Sequence, residues 1–266
     1  MTTNETATKA TEILDAIDHQ KRLVPFGGIE LPQAYAVVAE MKRLRVARGE
    51  KVLGRKIGFT NRTIWDEYKV FAPIWGYMYD TTIEDVSATR NVDLAKFAEP
   101  RLEPEIAFGF GRSPEAGMSP AQILDCIEWA AHGFEIVQSH YPDWKFSAPD
   151  TVANNALHGA FFLGEKVSAI MNRAAWVEAL AGFEIFLFRN DVLIDRGDAT
   201  NVLDGPLFAI KHLLELLKDD PHNPPVAAGE IVTTGTVTRA WPVASGETWR
   251  TEVSGLKLPG IEISFS

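Results

Sequence analysis

The sequence predicts an α+β fold with a mostly β core. Three observations carry that expectation. The first fifty residues hold two amphipathic helical patterns. From Val52 onward, alternating strand patterns dominate, broken by a few short helices. No internal repeat, coiled coil or low-complexity run interrupts them. At 266 residues, 46% hydrophobic and 10% aromatic, the chain suits one well-packed globular unit. We divide it into a helical extension, residues 1–50, packed on a β-rich catalytic domain, residues 51–266.

The elements follow in order. Residues 6–20 place Ile13, Leu14 and Ile17 on one helical face. Residues 31–48 form a second helix that stops at Gly49. Between them, Leu23 to Gly28 reads as a loop. Lys51 to Thr60 alternates as a strand, with Gly54, Lys56 and Gly58 on one face and Leu53, Ile57 and Phe59 on the other. Asn61 to Val70 fits a short helix, and Phe71 to Asp80 is a dense aromatic loop or strand. Arg101 to Phe110 is a strand in which Pro104 predicts an edge or bulged position. Ser119-Pro120-Ala121-Gln122 opens a helix with a capping box and a proline at the first position, expected to run to near Gly133. A strand-like run holds Glu135. Another helix spans Arg173 to Leu180. Phe183 to Ile194 forms a hairpin turned at Arg189-Asn190-Asp191, and Pro206 to Lys218 is helical. Strands at Glu230–Thr236, Glu247–Val253 and Ile261–Phe265 complete the chain.

Bulk properties exclude several classes. A net charge of −10 argues against nucleic-acid and anionic-membrane partners. The single cysteine, Cys126, allows no intrachain disulfide and falls on an apolar helical stripe, as a buried structural thiol does. No apolar run of membrane-spanning length occurs, and the N-terminus lacks a signal-peptide pattern. A cytoplasmic setting is expected. There is no dinucleotide fingerprint, phosphate loop or nucleophile elbow, and the six histidines show no metal-ligand spacing.

The chemistry concentrates in Arg101-Leu102-Glu103-Pro104-Glu105-Ile106-Ala107-Phe108. Strand alternation turns Glu103 and Glu105 to one face beside Ala107 and Gly109. Taken alone, such a pair also suits a solvated face. The solvated face is the usual case, but two anions among small neighbours also suit a hard divalent cation held by oxygen ligands, with Glu135 as a third carboxylate. Lys56, flanked by glycines, is a lone ammonium that another group can approach closely.

Together these segments resemble the fumarylacetoacetate hydrolase superfamily, in its branch of 2-keto-4-pentenoate hydratases and 4-oxalocrotonate decarboxylases. The resemblance runs from about Thr11 to Phe265. It rests on Gly54-Arg55-Lys56-Ile57-Gly58-Phe59-Thr60, on Pro100 to Ala107, on Glu135 to His140 with Asp143-Trp144-Lys145-Phe146 and Thr151 to Asn155, and on Ala228 to Thr236. It implies mixed β-strands rolled into a barrel around a central site, behind N-terminal helices. It also implies Mg²⁺ or Mn²⁺ on Glu103, Glu105 and Glu135, with Lys56 as catalytic residue beside the cation. Ile74, Lys145, Leu157, His158, Thr234 and Gly235 are then substrate-binding positions. The implied activity is a metal-dependent lyase acting on 2-oxo acids or 2-hydroxydienoates through an enolate, in aromatic or related catabolism. Homo-oligomers are implied too, with association with a related hydratase or decarboxylase left open.

Hydratase chemistry stands first among the alternatives. The second is a 4-oxalocrotonate-type decarboxylase. A C–C hydrolase of acylpyruvates follows, disfavoured because Leu23 to Pro32 offers Glu30 without a histidine. A non-catalytic partner subunit and a metabolite-binding β-domain come last. Two departures bear on the choice. Hydratases of this branch carry Pro-Asp-Phe-Gly where this chain has Pro73-Ile74-Trp75-Gly76. The usual Val-Ala-Asp-Asn-Ala-Ser is here Val152-Ala153-Asn154-Asn155-Ala156-Leu157, so that Leu157 and His158 replace small polar residues. His140 and Lys145 are candidates to meet a second substrate carboxylate.

Overall fold

The computed structural model describes residues 1–168 and 172–266. Two helices, α1 (Thr3–His19) and α2 (Leu31–Ala47), open the chain. Thr2 caps α1 through a capping box with Glu5, and Glu30 with Gln33 does the same for α2. Strands β1 (Val52–Gly58), β2 (Ile74–Tyr79), β3 (Ile83–Asp85), β4 (Asn91–Val92) and β5 (Arg101–Phe110) follow, with the one-turn helix α3 (Trp65–Tyr68) after β1. Next come α4 (Pro120–Cys126), β6 (Ile127–Val137), α5 (Ala148–Ala153), β7 (His158–Leu163), β8 (Val167–Ser168) and α6 (Arg173–Gly182). The chain finishes with β9 (Glu184–Arg189), β10 (Val192–Asp198), α7 (Pro206–Lys218), β11 (Ile231–Thr236), β12 (Trp241–Pro242), β13 (Thr248–Ser254) and β14 (Glu262–Phe265).

Among the described residues the strands form two mixed sheets. The larger runs β2-β1-β11-β5-β6-β7-β3, with β12 paired to β5 and β8 to β6. The smaller runs β10-β9-β13-β14-β4. Most pairs are antiparallel, but β1 with β11, β3 with β7 and β14 with β4 are parallel. The predicted α+β class with a mostly β core is what the chain adopts. Leu102, Phe134 and Ile136 of the larger sheet pack against Leu187, Trp249 and Ile263 of the smaller. The principal apolar core gathers Ile13 and Val37 of the N-terminal helices, Leu213 and Leu217 of α7, and Ile106 and Phe108 of β5. The alternation read on β5 therefore holds, because Leu102, Ile106 and Phe108 lie on the apolar side.

Two expectations need correction. The helix opened by Ser119 ends at Cys126, and Ile127 to Val137 is strand, not helix. Ile123, Ile127 and Ala130 fit a helical period, but an eleven-residue β6 pairs with β5 along its whole length, from Arg101↔Val137 to Phe110↔Ile127. That ladder satisfies the backbone of both strands, and local periodicity cannot see it. Nor is β5 an edge strand, since β11 and β6 flank it. The bulge does exist, but in the partner. Ala107 faces Thr233 and Glu105 faces Thr236, so β11 carries one extra residue between them. The Pro104 carbonyl accepts from Val237 N–H at 3.0 Å on that side. A strand residue directs its N and C=O to the same neighbour, so the donor that proline lacks falls where the ladder is already broken.

His132 ties the two sheets. Its Nδ1 bonds the Glu105 carbonyl at 2.9 Å and its Nε2 the Thr251 hydroxyl at 2.8 Å. Burial pushes its pKa down to about 4, against the pull of the Glu105 carbonyl. The folded state thus holds it neutral while an unfolded chain takes up a proton below about 6.5. Its contribution is whole above that pH and is lost as pH falls toward 4, by up to about 3 kcal/mol. In thermal melts, the destabilisation caused by His132→Gln should be largest at pH 7 and shrink steadily toward pH 4. A pH-independent difference would contradict a neutral buried imidazole.

Candidate metal centre

The site grows out of strand register. Glu103 on β5 lies directly opposite Glu135 on β6, and Glu105 opposite Gly133. Directly opposed residues share a face, so all three carboxylates point the same way. One ligand oxygen from each lies within 4.8 Å of the others. Lys56 reaches the same face from β1, where it pairs with Thr233 of β11, itself opposite Ala107. Glycine at 133 is required there, since a Cβ would lie 2.3 Å from the Phe161 ring. Glu105 and Glu135 are fully buried and Glu103 partly so.

Specific donors hold two of the carboxylates. The β11 bulge turns the Gly235 N–H out of the ladder and onto Glu105 Oε2 at 3.0 Å. Gly235 has φ +92°, and a Cβ there would meet Thr60 Oγ1 at 2.0 Å, so only glycine fits. Glu135 Oε1 accepts from His158 Nδ1 at 2.8 Å. Glu135 Oε2 lies 3.1 Å from Lys56 Nζ. Yet Glu105 Oε1 and Glu135 Oε2 make no hydrogen bond of good geometry among the described residues. Buried carboxylate oxygens left over in this way, converging with a third carboxylate, are what a hard cation requires. The donor set fits a divalent metal.

Electrostatics agree. Burial raises Glu103 to about 8, Lys56 pulling against it and Glu135 and Glu105 adding to the rise. Burial likewise raises Glu105 and Glu135, with Glu135 adding at Glu105 and Lys56 opposing at both. Burial works to lower Lys56, but Glu135, Glu103 and Glu105 together outweigh it and hold the ammonium above its usual range.

A cleft opens above these groups. Lys56 and Glu103 form part of its floor, and Ile74, Leu157, Val137 and Phe146 supply apolar wall. Three successive residues with left-handed backbone, Asn155 (φ 52°), Ala156 (54°) and Leu157 (61°), shape one side. That conformation is costly outside glycine. Asn155 secures it by two bonds to Tyr77, accepting from its N–H and donating to its C=O, each at 2.8 Å. Gly76 lets the loop in, since a Cβ there would sit 2.3 Å from the Asn155 carbonyl. The result presents the Ala156 carbonyl to Lys56 Nζ at 3.2 Å.

The structure thus gathers Lys56, Glu103, Glu105, Glu135, Ile74 and Leu157. Thr234 and Gly235 stand behind the carboxylates, Thr234 bonding the Ile106 carbonyl at 3.0 Å. His158 is behind Glu135 and does not line the cleft. Lys145 is not brought in. It is 80% exposed and paired with Asp143, while its neighbours Trp144 and Phe146 do line the cleft. The left-handed turn at Asp143 and Trp144 rotates the segment so that alternate residues face inward. His140 is buried against Asn154, away from the lining. Arg101 and Arg239 line the cleft and were not foreseen. Arg101 stacks over Trp144 at 4.0 Å. Its adjacency to the carboxylate strand was a signal, but Arg239 lies in a stretch with no pattern.

The fumarylacetoacetate hydrolase C-terminal family model matches residues 66–259. A 2-hydroxyhexa-2,4-dienoate hydratase from Comamonas testosteroni is 29% identical over 262 residues, spanning 97% of each chain. A 4-oxalocrotonate decarboxylase from a Pseudomonas species is 30% identical over 82% of each chain. The 4-oxalocrotonate decarboxylase from Pseudomonas putida G7, solved with magnesium and adipate, superposes with a TM-score of 0.90 at 25% identity, over 100% of this chain and 99% of that one.

A cation must displace the protons that the raised carboxylates retain. Calorimetry with Mg²⁺ should therefore show affinity rising from pH 6 to pH 9, with protons released in proportion near neutrality. Glu105→Gln should weaken binding at every pH, and equal affinity in that variant would remove Glu105 from the ligand set.

Proposed function

The chain belongs to the fumarylacetoacetate hydrolase family, and on that footing we propose that it is a divalent-metal-dependent lyase, a hydratase of 2-hydroxydienoates. The observation that carries this is the convergence of three glutamates and a buried lysine, of which Glu103 and Lys56 line a cleft. Glu103, Glu105 and Glu135 would hold Mg²⁺ or Mn²⁺, the hard ions that oxygen ligands favour. When bound, the cation supplies Lewis-acid polarisation of a substrate oxygen.

The protein's own groups then have distinct tasks. Lys56 is held as an ammonium by the carboxylates around it. Two of its contacts are taken by Glu135 and the Ala156 carbonyl. An ammonium has three donors and the Ala156 carbonyl takes one, so Lys56 keeps donor capacity for the oxygen of a 2-oxo acid on which negative charge collects in ketonisation. Glu135, 3.1 Å away, keeps that charge in place as the substrate enters. Ile74, Leu157 and Phe146 pack against the substrate tail and select for a hydrocarbon chain. In a hydratase the 2-hydroxydienoate ketonises, and water adds across the double bond that remains.

A decarboxylase is the second reading, and a specific observation favours it. Ile74 lines the cleft where the hydratases resembled here carry an aspartate, and an isoleucine can neither hold water nor move a proton. A decarboxylase needs the same charge stabilisation at the 2-oxo oxygen but no water. We infer that the protein forms homo-oligomers, as its exposed Phe71 and Leu216 beside one shallow surface cleft support. A cytoplasmic setting is likewise part of this reading. No described helix is long and apolar enough to cross a membrane.

Product analysis by NMR separates the two chemistries. With 2-hydroxypenta-2,4-dienoate and Mg²⁺, hydration yields 4-hydroxy-2-oxopentanoate. CO₂ release from 2-oxo-3-hexenedioate without hydration establishes the decarboxylase instead. Lys56→Ala should lower turnover by about 10²–10⁴-fold while metal binding survives. Near wild-type turnover in that variant would sink the role given to the lysine.

A further inference from the structure

Glu105 and Glu135 are held alike. Each has one carboxylate oxygen fastened by a protein N–H, while the second oxygen has no hydrogen bond on Glu105 and only the Lys56 ammonium beside it on Glu135. On Glu105 the fastened atom is Oε2, bound by Gly235 N–H, and Oε1 is left over. On Glu135 it is Oε1, bound by His158 Nδ1–H, and Oε2 has only the Lys56 ammonium, 3.1 Å away. The first fastening comes from the backbone and is insensitive to side-chain identity. The second depends on one side chain.

We propose that His158 is a positioning residue that makes Glu135 a one-oxygen ligand and thereby sets which divalent cation the site prefers. The inference rests on the reading of Glu103, Glu105 and Glu135 as metal ligands. His158 cannot swing away to release Oε1. Its side chain is 1% exposed. Its Nε2 bonds the Thr82 hydroxyl at 2.9 Å, and that hydroxyl accepts from Tyr79 N–H at 3.0 Å. The imidazole is thus anchored from both nitrogens, between the ligand and the end of β2. With Oε1 committed, Glu135 offers Oε2 alone. Calcium takes six to eight oxygens and readily uses both atoms of a carboxylate, whereas magnesium and manganese suit a compact six-oxygen shell. Fixing Glu135 to a single oxygen removes a ligand that calcium uses and the smaller ions do not. A partner hydrogen bond of this kind also raises the basicity and order of the ligand it holds.

The test is equilibrium Mn²⁺ binding, read from the electron paramagnetic resonance signal of free Mn²⁺, with Ca²⁺ competition on the full-length chain. Wild type, His158→Ala and His158→Asn are compared, with circular dichroism and melting curves to verify folding. His158→Ala should weaken Mn²⁺ binding by about 10–100-fold and shift the Ca²⁺ to Mn²⁺ preference toward Ca²⁺. His158→Asn, whose amide nitrogen takes the place of Nδ1, should recover most of both. A folded His158→Ala protein with unchanged Mn²⁺ affinity and unchanged ion preference overturns the proposal. If that variant does not fold, Thr82→Val serves. It frees the far side of the imidazole and should move the ion preference the same way by a smaller factor, and no movement again overturns it. Wild-type protein that binds no Mn²⁺ would instead bring down the three-glutamate reading beneath it.

Discussion

Three carboxylates buried within 4.8 Å of one another set the terms for everything around them. At that separation each ionised pair repels by about 3 kcal/mol with an effective dielectric near 20. Three pairs approach about 10 kcal/mol, which is comparable to the whole stability of a domain. Such a cluster survives only with compensating positive charge or with protons retained. Lys56 supplies one charge. Burial raises all three glutamates in spite of it, and repulsion from Glu135 adds to the rise at Glu103 and Glu105. The remaining deficit is what makes the site a cation site, and it couples folding, protonation and ligand binding in one place.

The surrounding structure bends to keep this cluster in order. A strand interrupted by proline would be a poor centre for a sheet, yet β5 is central because the bulge in β11 absorbs the missing donor. The same bulge releases the Gly235 N–H to hold Glu105. One irregularity thus solves a backbone problem and fixes a ligand. On the other side of the cleft, three left-handed residues from Asn155 to Leu157 cost on the order of 1 kcal/mol each or more. The paired bonds of Asn155 to Tyr77 offset that cost, and the contour they hold places the Ala156 carbonyl on Lys56 and Leu157 on the cleft wall.

Much of the functional reading was legible because strand alternation is strictly local. Glu-x-Glu on β5 must share a face, and a lysine between glycines on β1 must present a close-approach surface. The bounds of α7 and the turn between β9 and β10 were legible for the same reason, through turns and periodicity that neighbouring residues define, although β10 runs on past Ile194 to Asp198. The length of α4 was not. Ile127 and Ala130 satisfy both a helical and an extended pattern, and only the cross-strand partner decides between them. Lys145 misled because a left-handed turn at Asp143 and Trp144, invisible to alternation, rotates it to solvent.

By itself the sequence determined the α+β class with a mostly β core, the four charged residues at its centre and the family they resemble. The fold class follows from the period and composition of short segments, and the four residues were singled out by the resemblance that those segments carry. Tertiary structure alone decided the roles of the supporting residues. His158 was a candidate for the pocket wall, and the fold turns it onto Glu135 and Thr82. Arg239 enters the cleft from a segment far from every other lining residue but Thr236 and Ala240. Those placements depend on which strands pair and where a ladder breaks. They are long-range contacts between segments remote in sequence, and no local pattern encodes them.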